Sequence, residues 1–151
     1  MWEKGMMTGE FSTSLDEKNR LLFPYKLRVE ITGTRLMATK GPDNCLWLFL
    51  PDAWKEFSEK VFKSLSPFDL GDREVYRRII GPAQELEIDK IGRILVPSSL
   101  KEYARLKKEI VILGVKQFIE IWDEETLKAH SQENDGVYKE AEKKLIERVS
   151  F

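Results

Sequence analysis

The stretch LDEKNRLLFPYKLR, residues 15–28, decides the fold once it is set beside IDKIGRILVPSSLK, residues 88–101. Asp16 and Asp89, Arg20 and Arg93, Pro24 and Pro97, and Leu27 and Leu100 each stand 73 positions apart. Such a run of identities at one offset marks an internal repeat. With one residue removed the correspondence continues, LWLFL at 46–50 falling on FIEIW at 118–122. The chain therefore reads as two copies of one small unit.

Within each copy the order of elements follows from local chemistry. Phe11, Thr13 and Leu15 alternate with polar residues, as do Leu86 and Ile88, and a period of two predicts a half-buried strand. A tight bend comes next: Gly92 can take positive φ without steric cost, and Asn19 is among the non-glycine residues that tolerate it best. RLLF at 20–23 and RILV at 93–96 leave the bend as short apolar strands, each stopped by a proline that cannot donate to a ladder. Proline also suits a first helical turn, which predicts short helices over 25–30 and 98–104 with Leu27 and Leu100 facing inward. Strands over 35–39 and 46–50, joined by the turn formers KGPDN, complete the first unit, and strands over 110–113 and 118–122 complete the second. Neither unit is large enough to stand alone. The expectation is an α+β, mainly β fold in which the two units bury their apolar faces against one another as a pseudo-symmetric β-barrel.

Helices are expected after both units. Asp52 is read as an N-cap, followed by the stripe Trp54, Phe57, Ser58, Val61, Phe62 and Leu65. A second helix is expected over 72–80, with Val75, Tyr76, Ile79 and Ile80 inward. The C-terminal helix should begin near Asp123, weaken at Asn134, Asp135 and Gly136, and resume with Tyr138, Ala141, Leu145 and Val149. These apolar stripes are read as core or subunit contacts. The organisation is then a first unit over 6–51, connecting helices over 52–82, a second unit over 83–123 and C-terminal helices over 124–151.

Composition narrows the function classes. Hydrophobic residues make up 42% and charged residues 34%, and no apolar run approaches a membrane span. MWEKGMM has neither an extended apolar core nor a small-residue cleavage site, so no secretory signal is read and the cytoplasm is the expected compartment. The single cysteine, Cys45, lies in an apolar run and is read as a buried, inert thiol. A net charge of -1 exerts no general pull on nucleic acid, so any such binding must come from local clusters. The only histidine, His130, has no surrounding motif, and no phosphate-binding loop, Cys/His cluster or dinucleotide fingerprint is present. Neither an enzyme nor a metal or cofactor site is expected.

The paired Asp-x-x-x-Arg bends carry the functional reading. An aspartate before a turn can accept backbone N–H bonds and pair with the arginine, which would make a turn staple and nothing more. That explanation leaves the duplication, and the extra cations Lys18 and Lys90, unaccounted for. Arginine offers a rigid fork for guanine O6 and N7 or for a phosphate, and a neighbouring carboxylate holds the fork in place. Two-stranded ribbons fit the major groove.

These motifs resemble the MraZ family, a relative of the AbrB-type swapped-hairpin (SpoVT-AbrB) regulators. The resemblance rests on DEKNR at 16–20 and DKIGR at 89–93, with further matches at Gly9, Glu10 and Phe11, at Phe23-Pro24 and Val96-Pro97, across the hairpin of 41–50, and at IEIWD over 119–123. It covers nearly the whole chain. It implies two tandem AbrB-like repeats in a pseudo-two-fold double-split β-barrel with flanking helices. The implied function is a bacterial transcriptional regulator that binds short direct repeats upstream of the division and cell-wall gene cluster, including its own promoter. It also implies a ring-shaped homo-oligomer, by family resemblance an octamer, associated with the nucleoid. Carried over position by position, the DNA contacts are Arg20 and Arg93, oriented by Asp16 and Asp89, with Lys18 and Lys90 on phosphates. Lys26, Arg28 and Lys101 are weaker candidates, and Arg73, Arg77 and Arg78 are assigned to subunit or surface ion pairs. Two departures stand out: Asn19 where the family usually has glycine, and MWEKG ahead of the family's usual start near Met6 or Met7. A non-enzymatic interaction module, antitoxin-like or a scaffold, is the competing reading on the same fold.

Overall fold

In the first copy strand β1 (Met7–Ser14) runs into the bend, β2 (Arg20–Leu22) leaves it, helix α1 (Tyr25–Arg28) follows Pro24, and β3 (Arg35–Lys40) and β4 (Leu46–Phe49) form a hairpin. The second copy repeats the order as β5 (Gln84–Glu87), β6 (Arg93–Leu95), α4 (Ser98–Ala104), β7 (Glu109–Lys116) and β8 (Phe118–Asp123). Between the copies lie α2 (Pro51–Ser64), α3 (Leu70–Val75) and a π-helical turn (Tyr76–Ile80), and after them α5 (Glu124–Glu133) and α6 (Asp135–Arg148). The computed structural model describes residues 7–31 and 33–149, so the opening MWEKG and Met6 lie outside the described residues.

Every strand finds a partner in the other copy. The six-stranded sheet runs β1-β7-β8-β4-β3-β5, all pairs antiparallel, and β2 and β6 make a separate two-stranded ribbon. Exchanging β1 with β5, β2 with β6, β3 with β7 and β4 with β8 returns the same sheet order reversed. A pseudo-two-fold axis therefore passes between β4 and β8 and between β2 and β6. The hairpin over each bend is swapped: β1 and β2 meet in a lone bridge, Leu15 to Leu21, after which β2 departs to pair with β6. Two bonds lock the exchange, since the Phe23 amide donates to the Gly92 carbonyl and the Val96 amide to the Asn19 carbonyl, each at 2.9 Å.

The register corrects the alignment of the later strands. Leu46 pairs with Ile121 and Leu48 with Ile119, and these four are the residues that the two strands turn into the shared core, so the two-fold relates Leu46 to Ile119 and Leu48 to Ile121. The offset there is again 73, and the 72 expected from LWLFL over FIEIW is wrong by one residue. Burial decides it: Leu46, Leu48, Ile119 and Ile121 all point into the core, and a one-residue slip would turn each of them outward. An extra residue before β7 and one fewer in the β7–β8 turn cancel each other.

The core is shared between the copies. Leu21 and Ile94, Phe23 and Val96, Leu27 and Leu100 are related pairs buried in one cluster with Leu36, Ala38, Ile110 and Ile112. Pro82 cannot donate to a ladder, and β5 begins only at Gln84 and pairs four residues where β1 pairs eight.

The connecting segments depart from expectation at their ends. Helix α2 starts at Pro51 with no side-chain cap, and Asp52 sits in the first turn, where its charge favours the helix dipole. Asp69, not Asp72, caps α3, its carboxylate accepting from the Asp72 amide at 2.9 Å. The expected single helix over 72–80 widens into the π-helical turn, which the Gly81 amide closes onto the Tyr76 carbonyl. Val75 and Tyr76, expected inward, are exposed. Asp123 does cap α5, and the break falls at Asn134. Tyr138, Leu145 and Val149, expected as a packing stripe, are exposed.

Candidate functional site

Each bend is built around one carboxylate. Asp16 accepts the backbone N–H groups of Lys18 at 2.9 Å and Arg20 at 2.8 Å on Oδ1, and the Arg20 Nε–H on Oδ2 at 3.0 Å. Asp89 accepts Ile91, Gly92 and Arg93 amides on Oδ1 at 3.0, 3.0 and 2.8 Å, and the Arg93 Nε–H on Oδ2 at 2.9 Å. The acid stands ahead of the turn because its short side chain can reach forward to amides two to four residues on. Asn19 at φ 62 and Gly92 at φ 99 supply the left-handed residue, as both sequences predict. The staple reading and the orienting reading thus coincide in one group, which closes the turn with one oxygen and fixes the arginine with the other.

Those bonds set the electrostatics. The Arg20 backbone N–H, ahead of its guanidinium, holds the Asp16 carboxyl below the usual carboxylate range, and Arg93 does the same for Asp89. Both aspartates are ionised at neutral pH. Because only Nε is engaged, both Nη nitrogens of each arginine remain free of partners among the described residues. A pair of free Nη groups is the kind of fork that can grip a guanine edge or a phosphate.

The ribbon brings the two forks together. Arg20 lies opposite Leu95, and Leu22 opposite Arg93. Opposed residues share a face and next-but-one neighbours share it too, so Arg20, Leu22, Arg93 and Leu95 all project outward while Leu21 and Ile94 project into the core. Burial agrees: Leu22 is 43% and Leu95 60% exposed, against 0% for Leu21 and 1% for Ile94. The arginines stand on the diagonal of this face, roughly 7–8 Å apart by sheet geometry.

Two of the weaker candidates act across the copies. Lys101 on α4 donates to the Asn19 side-chain oxygen at 2.7 Å. Arg28, its counterpart on α1, lies against Gly92, where a Cβ would run into its guanidinium. Each bend therefore carries a cation from the other copy's helix, and Asn19 differs from glycine by giving Lys101 an acceptor. The sequence gives Arg28 and Lys101 only as weaker candidates because the swap that crosses them is not a local property. Lys26 is exposed and has no ion-pair partner among the described residues.

Lys18 and Lys90 are exposed at their tips but are not equivalent. At the offset of 73, Lys18 matches Ile91 and Lys90 matches Glu17. The first tip therefore pairs its cation with an extra acid, and the second carries an exposed isoleucine instead. Arg77 and Arg78 both pair with Glu74, at 3.0 and 3.4 Å, and Arg73 donates to the Pro67 carbonyl at 3.1 Å. They form surface ion pairs and capping bonds away from the ribbon. The sequence gives Leu22 and Leu95 only as members of the short apolar strands; alternation counted from the arginine is the signal that sets them on the arginines' face.

Other clusters do a different job. Glu120 accepts both indole N–H groups of Trp47 and Trp122 at 2.9 Å, across the axis from β8 to β4 and along β8. Cys45 beside it is fully buried, and burial drives its thiol pKa upward, so it stays protonated and inert. Among the described residues no His, Cys, Asp and Glu cluster could hold a metal ion, and no helix is long and apolar enough to cross a membrane.

Comparison with known proteins supplies the wider frame. A family model described as "MraZ protein, putative antitoxin-like" matches twice, over residues 6–78 and 79–149. A protein of Treponema denticola named Transcriptional regulator MraZ is 44% identical over 141 residues, which is 93% of this chain and 98% of that one. Proteins of the same name from Treponema pallidum (strain Nichols), 41% identical over 91% of this chain and 92% of that one, and from Moorella thermoacetica, 37% identical over 94% and 98%, match along similar lengths.

Proposed function

The chain belongs to the MraZ family, and on that premise we propose that it is a transcriptional regulator that grips double-stranded DNA with the outward face of the β2–β6 ribbon and the two bends beside it. The observation that carries this reading is the shared face: two arginines, each held by its own aspartate, aimed the same way with their Nη groups free. Arg20 and Arg93 bind guanine edges, Asp16 and Asp89 orient them, and Lys18 and Lys90 bind phosphates, with Arg28 and Lys101 adding positive charge from the opposite copy.

One bidentate contact discriminates between bases by only about 1–3 kcal/mol, so a pair of forks per subunit favours repeated use. Assembly of identical subunits into a ring, an octamer in keeping with the family, multiplies the forks and suits short direct repeats in the protein's own promoter ahead of division and cell-wall genes. Phe62, Phe68, Leu70 and Tyr76 are exposed and offer apolar area for contacts between copies. The protein then works in the cytoplasm, on the nucleoid. Catalysis has no part in this reading.

A gel-shift with the protein's own upstream region tests it. Wild type should give a discrete, salt-sensitive complex, and Arg20→Ala with Arg93→Ala should abolish it without altering the sedimentation coefficient. No complex at low salt, or an unchanged complex with the double variant, overturns the reading. If the same variant instead releases a protein partner, the interaction-module alternative takes its place.

A further inference from the structure

We propose that Leu22 and Leu95 read thymine methyl groups in the major groove, so that each cross-strand Arg–Leu pair recognises a guanine with a thymine within one or two base steps. This inference rests on the DNA-binding reading above and deepens it. The starting point is an oddity of the ribbon: its outward face consists of two arginines and two leucines on opposite diagonals. A surface that bound phosphates alone would be better served by polar residues there, since a half-exposed leucine costs apolar hydration and offers no hydrogen bond. Both copies nonetheless carry leucine at this position, although they differ at Glu17 and Lys90, Lys18 and Ile91, and Asn19 and Gly92 immediately before it.

The position also fixes what the leucines can reach. Arg20 and Leu95 are directly opposed, as are Leu22 and Arg93, so the Cβ atoms of each pair lie about 4.5–5.5 Å apart. A guanidinium longer than its neighbour contacts a base edge while the leucine beside it meets the adjacent step. In the major groove the thymine C5-methyl is the only apolar group on a base edge, and cytosine lacks it. Backbone bonds hold the ribbon in place at its ends, through the Phe23 and Val96 amides, so the leucines are presented on a rigid strand. Leu21 and Ile94 anchor the ribbon's inner face to the core, which leaves the outer pair free to be changed without loss of the fold.

The test uses a duplex enriched from a random pool by the wild-type protein, and the same duplex made with deoxyuridine in place of thymidine, which deletes only the methyl. Wild type should bind the uracil duplex about four-fold more weakly per contacted methyl, the ratio expected for burying one such group. Leu22→Ala with Leu95→Ala should bind both duplexes alike, near the wild-type affinity for the uracil form, while Leu22→Met with Leu95→Met should retain the preference. Circular dichroism melts of each variant establish that it is folded. If wild type enriches a sequence yet binds both duplexes equally, or the alanine variant keeps the full preference, this inference falls and the DNA-binding reading stands. A changed sedimentation coefficient in the alanine variant assigns the leucines to a contact between subunits and overturns it as well. If wild type enriches no sequence, the DNA-binding reading fails and this inference with it.

Discussion

At the scale of single residues the tip is a problem in backbone satisfaction before it is one of recognition. Asp89 accepts three amides and an Nε–H, Asp16 two amides and an Nε–H, so removing Asp89 should loosen its bend more. Both carboxyl pKa values are lowered in the folded chain from an ordinary 3.8. A lowered folded value means that ionisation stabilises the fold above 3.8 and that this contribution is lost as pH falls from there through the folded value. Melting wild type and Asp89→Asn side by side should therefore show a difference at neutral pH that shrinks under acid conditions below 3.8; a gap that widens there would contradict the assignment. Gly92 makes a second residue-level case. Its φ of 99 and the Arg28 side chain against it both oppose a Cβ, so Gly92→Ala should lose about 1–3 kcal/mol in urea unfolding. Asn19→Gly should cost less than about 1 kcal/mol because glycine accepts the same φ, yet it frees Lys101 from its acceptor.

At the scale of elements the ribbon is three residues on each strand, too short to persist without its inner face. Leu21 and Ile94 oppose one another there and are both buried. Truncating either to alanine should destabilise the protein by about 2–5 kcal/mol. Because they touch, the double variant should lose measurably less than the added single losses, which a double-mutant cycle in urea reads directly. This scale also separates what the sequence disclosed from what it withheld. The bends, the strands around them and the proline-started helices were legible because each depends on nearby residues: an acid, a residue tolerant of positive φ, an apolar alternation, a proline. The partner of each strand was not a local property, and the AbrB-type resemblance, not the residues, supplied the swap. The offset of β8 was misread because LWLFL and FIEIW are apolar at almost every position, so periodicity alone could not fix which face was inward. Arg28 and Lys101 were undervalued for the same reason, since their contacts lie 64 and 82 positions away, at Gly92 and Asn19.

For the whole molecule, interlocked pairing means that neither copy can open its sheet without stripping the other, and Trp47 and Trp122 report on both sides through Glu120. Urea unfolding followed by tryptophan fluorescence and by circular dichroism should give coincident curves; separate transitions would show that the copies fold independently. The charge distribution carries the last prediction. With a net charge of -1 the molecule as a whole exerts almost no long-range attraction on a polyanion, so the proposed affinity for DNA requires the local cations around the ribbon. Each of those that neutralises a phosphate adds about 0.9 to the steepness with which log K falls against log salt. Lys18→Ala and Lys90→Ala should each lower that slope by about 1 per subunit engaged and weaken all sequences alike. The Arg20 and Arg93 variants should instead erase the difference between the preferred duplex and a scrambled one. The first tip carries a second acid, Glu17, which stands beside Lys18 and offsets part of its charge, whereas beside Lys90 the only acid is Asp89, already engaged by Arg93, so Lys90→Ala should weaken binding more than Lys18→Ala and Glu17→Gln should strengthen it. Titrations of these variants at several salt concentrations check the order; equal losses at Lys18 and Lys90 would mean that phosphate contact is set by the shape of the assembled ring and not by the charge at each tip.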